Sequence, residues 1–99
     1  MQFVFDAVLF RWDSRTDSAY YLVEVPALFS AEIREIPRMR RGFGSVRVEA
    51  GAAGLRWRTS IFPDAANGTY HLPIKRAVRD AAQAGEGDTL TIDLRVLEG

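Results

Sequence analysis

Tyr20-Tyr-Leu-Val-Glu-Val-Pro26, running into Ser30-Ala-Glu-Ile-Arg-Glu-Ile36, is echoed by Tyr70-His-Leu-Pro-Ile-Lys-Arg-Ala-Val-Arg79. Each copy reads as a short aromatic and aliphatic strand, a proline, and the start of an amphipathic helix carrying an aliphatic–arginine pair. That pair is Ile33-Arg34 in the first copy and Val78-Arg79 in the second. A glycine-rich turn and a β-rich run follow each helix. A strand–Pro–helix–strand unit used twice points to one closed barrel with pseudo-twofold symmetry. It does not point to a reaction.

Outward from these copies the chain reads as strands and tight turns. Phe3 to Trp12 alternates imperfectly, which predicts a strand whose two faces both meet protein over part of its length. It forms a hairpin with 19–25. Ser30 is the expected N-cap of the first helix, and Pro37 ends it. Strands over 45–50 and 55–62 form a second hairpin around Gly51-Ala-Ala-Gly54, and Asn67-Gly68 is a strong turn signal before a short strand at 69–72. Pro73 suits the first position of a second helix, whose stripe is Ile74, Ala77, Val78, Ala81 and Ala82, with Gly85 as its C′ residue. A last strand alternates from Thr89 to Leu97. Six strands and two short helices make an all-β domain, and closure into a small barrel removes the exposed edges of an open sheet.

Composition narrows the function classes. A chain of 99 residues is one domain, 1–99, with 47% hydrophobic and 26% charged residues, an ordinary globular balance. Thirteen basic and thirteen acidic side chains cancel, so no global field recruits nucleic acid or an anionic membrane. Without cysteine there is no disulfide framework, thiolate metal site or cysteine nucleophile. No signal-like start and no long apolar run is present, so the expected location is the cytoplasm. A monomer is the expected state.

The run Tyr70-His-Leu-Pro-Ile-Lys-Arg-Ala-Val-Arg79, followed by Gly85-Glu-Gly-Asp88-Thr-Leu-Thr-Ile-Asp93, resembles the core of bacterial transition-state regulators and antitoxins of the AbrB/MazE type. Those proteins assemble two half-barrels from two chains and bind DNA. The whole chain is similar to a family of single-chain double-split β-barrels, a domain of unknown function sometimes fused to a YdeI/OmdA-like domain. The residues carrying that similarity are Phe5-Asp-Ala7, Val25-Pro26, Arg41-Gly-Phe-Gly44, Trp57-Arg-Thr-Ser60 with Phe62-Pro63, Gly68-Thr-Tyr-His-Leu-Pro-Ile-Lys75, Val78-Arg79 and Gly87-Asp88. The resemblance implies a double-split β-barrel with a pseudo-twofold internal repeat, and it implies no activity.

Chemistry-bearing residues gather in the second copy. Lys75 and Arg79 are four apart near a helix start, an arrangement suited to an anion. Trp57 offers a flat apolar wall, Ser60 and Thr59 offer hydroxyls, and Arg41 lies in a glycine-bounded loop at the edge of this set. The competing readings are a solvated helix face that pairs with Asp80, Glu86 or Asp88, and a tryptophan that merely fills the barrel. Ser60 with Lys75 also admits a serine–lysine hydrolase, which requires a desolvated lysine. His71 is the only histidine and makes a poor metal site by itself. No metal, cofactor or catalytic group is therefore expected. A basic run at Arg38, Arg40 and Arg41, enlarged by Arg56, Arg58, Lys75, Arg76 and Arg79, is the footprint of the nucleic-acid alternative, against which zero net charge weighs. The reading favoured by sequence is a non-enzymatic binding or accessory module that takes a small anionic ligand or a protein partner at Arg41, Trp57, Ser60, Lys75 and Arg79.

Overall fold

A computed structural model describes residues 1–13, 19–36, 44–64 and 66–97. Its elements in chain order are β1 (Gln2–Val8), β2 (Phe10–Asp13), β3 (Ala19–Glu24), α1 (Ala27–Arg34), β4 (Val46–Ala52), β5 (Leu55–Asp64), β6 (Thr69–Pro73), α2 (Arg76–Ala82) and β7 (Thr89–Val96). The strands form one antiparallel sheet in the order β1-β7-β4-β5-β6-β3-β2. β1 and β2 are one strand interrupted at Leu9, and they occupy opposite ends of that order. The sheet therefore curls round until its two ends are a single piece of chain, giving a small β-barrel. Leu9 anchors the bend: its N–H donates to Asp88 O (2.8 Å), its carbonyl accepts from Gly87 N (2.8 Å), and its side chain is fully buried. No helix among the described residues is long and apolar enough to cross a membrane.

The pseudo-twofold is legible in the hydrogen bonds. Val25 N–H donates to Tyr70 O (2.9 Å), and Ile74 N–H donates to Tyr21 O (2.8 Å). Exchanging the halves turns one bond into the other, so Tyr21 matches Tyr70 and Val25 matches Ile74. Counting on, Pro26 matches Lys75, and both are the N-caps of their helices. The first helical bonds agree: Ser30 N to Pro26 O at 2.8 Å and Arg79 N to Lys75 O at 3.2 Å. Across the barrel, Phe10 pairs with Leu22 as Phe62 pairs with His71, which makes β5 the counterpart of the interrupted β1–β2 strand. β5 pairs with β4 up to Ile61 and with β6 from Phe62, and is thus split between two partners, as its counterpart is between β7 and β3.

This register corrects several expectations. The two prolines of the echo are not equivalent. Pro73 is the last residue of β6, opposite Leu22, and Ile74 is still bonded to Tyr21, so the chain stays in the sheet and α2 starts only at Arg76. Ser30 is not an N-cap either. α1 begins at Ala27, and Ser30 lies one turn in, fully buried. Of the expected α2 stripe only Ile74 and Val78 are buried, while Ala77 and Ala81 face solvent. Gln83 rather than Gly85 takes the left-handed conformation after α2 (φ 52°), and Gly85 N–H instead donates to the Asp88 carboxylate (2.8 Å). β1 has one buried face (Phe3, Phe5, Ala7), whereas Val4 and Val8 are exposed. Pro37 lies outside the described residues.

Two polar contacts fasten the halves. Ser30 Oγ donates to Val25 O (3.0 Å) and accepts from Tyr70 N (3.1 Å), bridging α1 to both central strands inside the core. Ser30→Ala leaves a buried carbonyl and a buried amide without this partner. The expected loss is about 2–3 kcal/mol in urea unfolding with an unchanged m-value. On the surface, Asp93 of β7 accepts from Gln2 Nε2 of β1 and Arg56 Nη2 of β5, both at 2.8 Å. These bonds hold its carboxyl below the usual aspartate range, the Gln2 bond first and Arg56 next. The ionised form is the one favoured by folding, so this contribution is present above the unfolded-state value near 3.8 and fades as pH falls through the lower folded value. In an NMR pH titration, Arg56→Ala is expected to move the Asp93 midpoint upward.

Candidate functional site

At the junction of β3, β5 and the β6–α2 connection the barrel leaves a cleft of about 380 Å³. Tyr20, Tyr21, Trp57, Arg58, Thr59, Pro73, Ile74, Lys75 and Arg79 line it. β5 supplies Trp57 and Thr59 from its inward face. The bond from Ile74 to Tyr21 brings the second helix start against β3, so Lys75 and Arg79 line the cleft together with the tyrosines. Arg79 lays its guanidinium over the Tyr21 ring, 3.8 Å from the centroid, and Lys75 Nζ stands 5.8 Å from the centre of the Trp57 ring.

The electrostatics are one-sided. Arg58, Lys75 and Arg79 line the cleft, and no carboxylate does. None of the three forms an ion pair among the described residues: Asp80 pairs with Arg76, and Asp88 serves the Gly85 amide. Arg79 Nε is buried without an acceptor. A buried donor in that state costs free energy that folding alone gives no reason to accept. The stack on Tyr21 aims the guanidinium, and a guanidinium fork suits planar two-oxygen anions.

Of the residues expected from sequence, Trp57, Lys75 and Arg79 meet here. Ser60 does not. It follows Thr59 on β5 but does not line the cleft. Lys75 is exposed, so the desolvated lysine of the serine–lysine alternative is not supplied. Arg41 lies outside the described residues, as do Arg38 and Arg40. His71 bonds Asp64 (Nε2 to Oδ2, 3.2 Å) and meets Phe10 edge-on, away from the cleft. No group of three His, Asp or Glu among the described residues is placed to hold a metal. Sequence reasoning missed Tyr20 and Tyr21. Their signal was the pairing of the two echoed strands, which brings Tyr21 alongside Ile74.

The pseudo-twofold generates a mate of this cleft, of about 480 Å³, lined by Asp6, Ala7, Val8, Phe10, Glu24, Pro26, Ala27 and Thr69. Its charge is reversed. Asp6 stands where Arg58 stands, Pro26 where Lys75 does, and Glu24 replaces Pro73. Both carboxylates are held, Asp6 by Thr91 Oγ1 and Glu24 by Thr69 Oγ1, each at 2.7 Å. The fold thus offers two equivalent hollows, and only the second is cationic.

Residues 5–94 match the domain of unknown function DUF1905. The chain belongs to the DUF1905 family. No curated protein matches it. The DUF1905 match runs from β1 into β7 and so takes in both clefts and the full pseudo-twofold. An arginine kept for packing would be missed on removal; one kept for a ligand would not. Arg79→Met, which retains an unbranched stem over Tyr21, is expected to leave apo stability within about 1 kcal/mol of wild type or raise it. Thermal unfolding checks this, and a loss well beyond that marks Arg79 as a packing residue.

Proposed function

We propose that this DUF1905 domain is a non-enzymatic binding module that takes a small organic anion in the cleft between Trp57 and Arg79. The observation that carries the reading is Arg79: stacked on Tyr21, with a buried Nε that lacks an acceptor, in a hollow lined by two further cations and no carboxylate. A bound carboxylate or phosphate pairs with the Arg79 guanidinium where it lines the cleft. Lys75, at the mouth, adds a mobile charge, and Thr59 adds a hydroxyl. The size of the hollow sits at the small end of the range for ligand pockets, about 300–1,000 Å³. Its walls are mostly apolar with a few polar groups, as such pockets are.

The reading extends to the family resemblance. A chain whose two halves interlock about a pseudo-twofold is the single-chain counterpart of a barrel made by two half-barrel chains. On this proposal it works as a monomer in the cytoplasm and has traded two like clefts for one that binds.

Titration with acetate and inorganic phosphate, followed by amide and indole NMR shifts, tests the proposal. Shifts are expected at Trp57, Lys75 and Arg79 and not around Asp6 and Glu24. The double variant Lys75→Ala, Arg79→Ala is expected to lose them while still unfolding cooperatively. Unaltered binding by the folded double variant, or shifts centred on the mate cleft, contradicts the assignment.

A further inference from the structure

We infer that the anion taken in this cleft is the carboxylate of an N-acylated amino acid, whose amide pairs with the unpaired main-chain edge of β5 at Arg58. The inference rests on the anion-binding reading above and names the ligand class.

Trp57, Arg58 and Thr59 all line the cleft. A hollow over the face of a sheet meets every second residue of a strand, because side chains alternate. Consecutive residues mark the edge of the strand. The ladder fixes which main-chain groups that edge offers, since the N–H and C=O of one residue point to one neighbouring strand and those of the next residue to the other side. Leu97 N–H donates to Arg47 O (3.0 Å), so Arg47, Glu49 and Gly51 turn their main-chain groups to β7, and Val46, Val48 and Ala50 turn theirs to β5. Ile61, Thr59 and Trp57, opposite those three, are thereby bonded to β4. The β6 side agrees. Val25 N–H donates to Tyr70 O and Ile74 N–H to Tyr21 O, so Tyr70 and Ile74 face β3, and His71 faces β5, where it meets Phe62. Arg58 and Phe62 turn their groups the same way, but β6 has left by Arg58. Pairing of β5 with β6 ends at Phe62 and His71, and Pro73, the next residue facing β5, has no N–H to donate. The N–H and C=O of Arg58 are therefore directed into the split, and among the described residues no strand pairs with them.

Such an edge is a template for one more extended segment. A peptide unit laid beside Arg58 donates its N–H to Arg58 O and accepts from Arg58 N–H on its carbonyl. The cations select which peptide unit this is. Lys75 and Arg79 line the same hollow and no carboxylate does, so the unit they favour carries a negative charge close by. In an N-acylated amino acid a single carbon separates the amide from the carboxylate, and a cleft of about 380 Å³ holds both. The mate hollow is the contrast. Asp6, Ala7 and Val8 are again consecutive residues on an unpaired edge, because Met1 and Leu9 turn their main-chain groups toward β7. There the lining charges are Asp6 and Glu24, and that edge repels a carboxylate.

N-acetylglycine and its ester analogue acetoxyacetate carry the same charge and nearly the same shape, and only the first has an N–H. In ¹⁵N-NMR titrations N-acetylglycine is expected to bind about fivefold more tightly, the worth of one neutral hydrogen bond. It should move the Arg58 amide proton downfield and leave the amides of Asp6 and Val8 in place. Arg58→Pro removes the N–H that faces the split and spares the ladder to β4, whereas Arg58→Ala keeps that N–H. N-acetylglycine is expected to bind Arg58→Pro about fivefold more weakly than Arg58→Ala, while acetate binds the two variants equally. The exchange of amide for ester needs no variant and decides the matter should Arg58→Pro fail to fold. Equal binding of amide and ester, lost in the Lys75→Ala, Arg79→Ala variant, overturns the amide assignment and leaves the anion site standing. Equal N-acetylglycine binding by folded Arg58→Pro and Arg58→Ala overturns it as well. Failure of N-acetylglycine, acetoxyacetate and acetate alike to bind overturns both. N-acetyltriglycine separates the two sources of the group: tighter binding than N-acetylglycine marks the end of a peptide chain, and equal or weaker binding marks a free acylated amino acid.

Discussion

The β3–β6 pairing at the pseudo-twofold fixes more of this molecule than any other contact. Its two outer bonds, Val25 to Tyr70 and Ile74 to Tyr21, end immediately before the helices begin. Each helix therefore starts at a set height, and the fourth residue of each is delivered to the opposite strand's tyrosine. In one half that residue is Ser30, and it meets the amide of Tyr70. In the other it is Arg79, and it meets the ring of Tyr21. A structural clamp and a candidate ligand-binding arginine are the same position used twice. The backbone geometry decides where the position goes, and the side chain decides what it does there.

Much of the fold was legible because period-two alternation and turn chemistry are local. The hairpins over 19–25 and 45–62, the short strand before Pro73 and the last strand all stand close to where the residues put them. The errors fell where tertiary bonds override local preference. Pro73 and Ser30 both carry helix-start chemistry, yet the β3–β6 register holds Pro73 in the sheet and pulls Ser30 into the core. The echo of Ile33-Arg34 in Val78-Arg79 was a coincidence of letters, since Phe29 and Ser30 are the spatial counterparts of Val78 and Arg79. The candidate site was half legible. Charge and spacing found Lys75 and Arg79, and the run on β5 found Trp57. Tyr20 and Tyr21 required knowing which strands pair, and Ser60 lies on β5 just past the stretch, 57–59, that lines the cleft.

The two halves also differ in how fully their polar and apolar groups are met. In the first, aromatic covers aromatic, Ser30 satisfies two backbone groups and each carboxylate of the hollow has a hydroxyl partner. In the second, a tryptophan is left half-open and an arginine keeps a buried donor without an acceptor. On the proposed reading, the unmet groups of the second half are the cost of a binding site in a small domain, offset by the well-satisfied first half.

Closure has a further consequence in time. Among the described residues β1 pairs in the sheet only with β7, Gln2 with Arg95 and Val8 with Thr89. During synthesis the first strand emerges long before the last exists. Until then its apolar face of Phe3, Phe5 and Ala7 has no lasting cover, and folding is governed by contacts nearly a chain length apart. The rate at which β7 is delivered sets how long that exposure lasts.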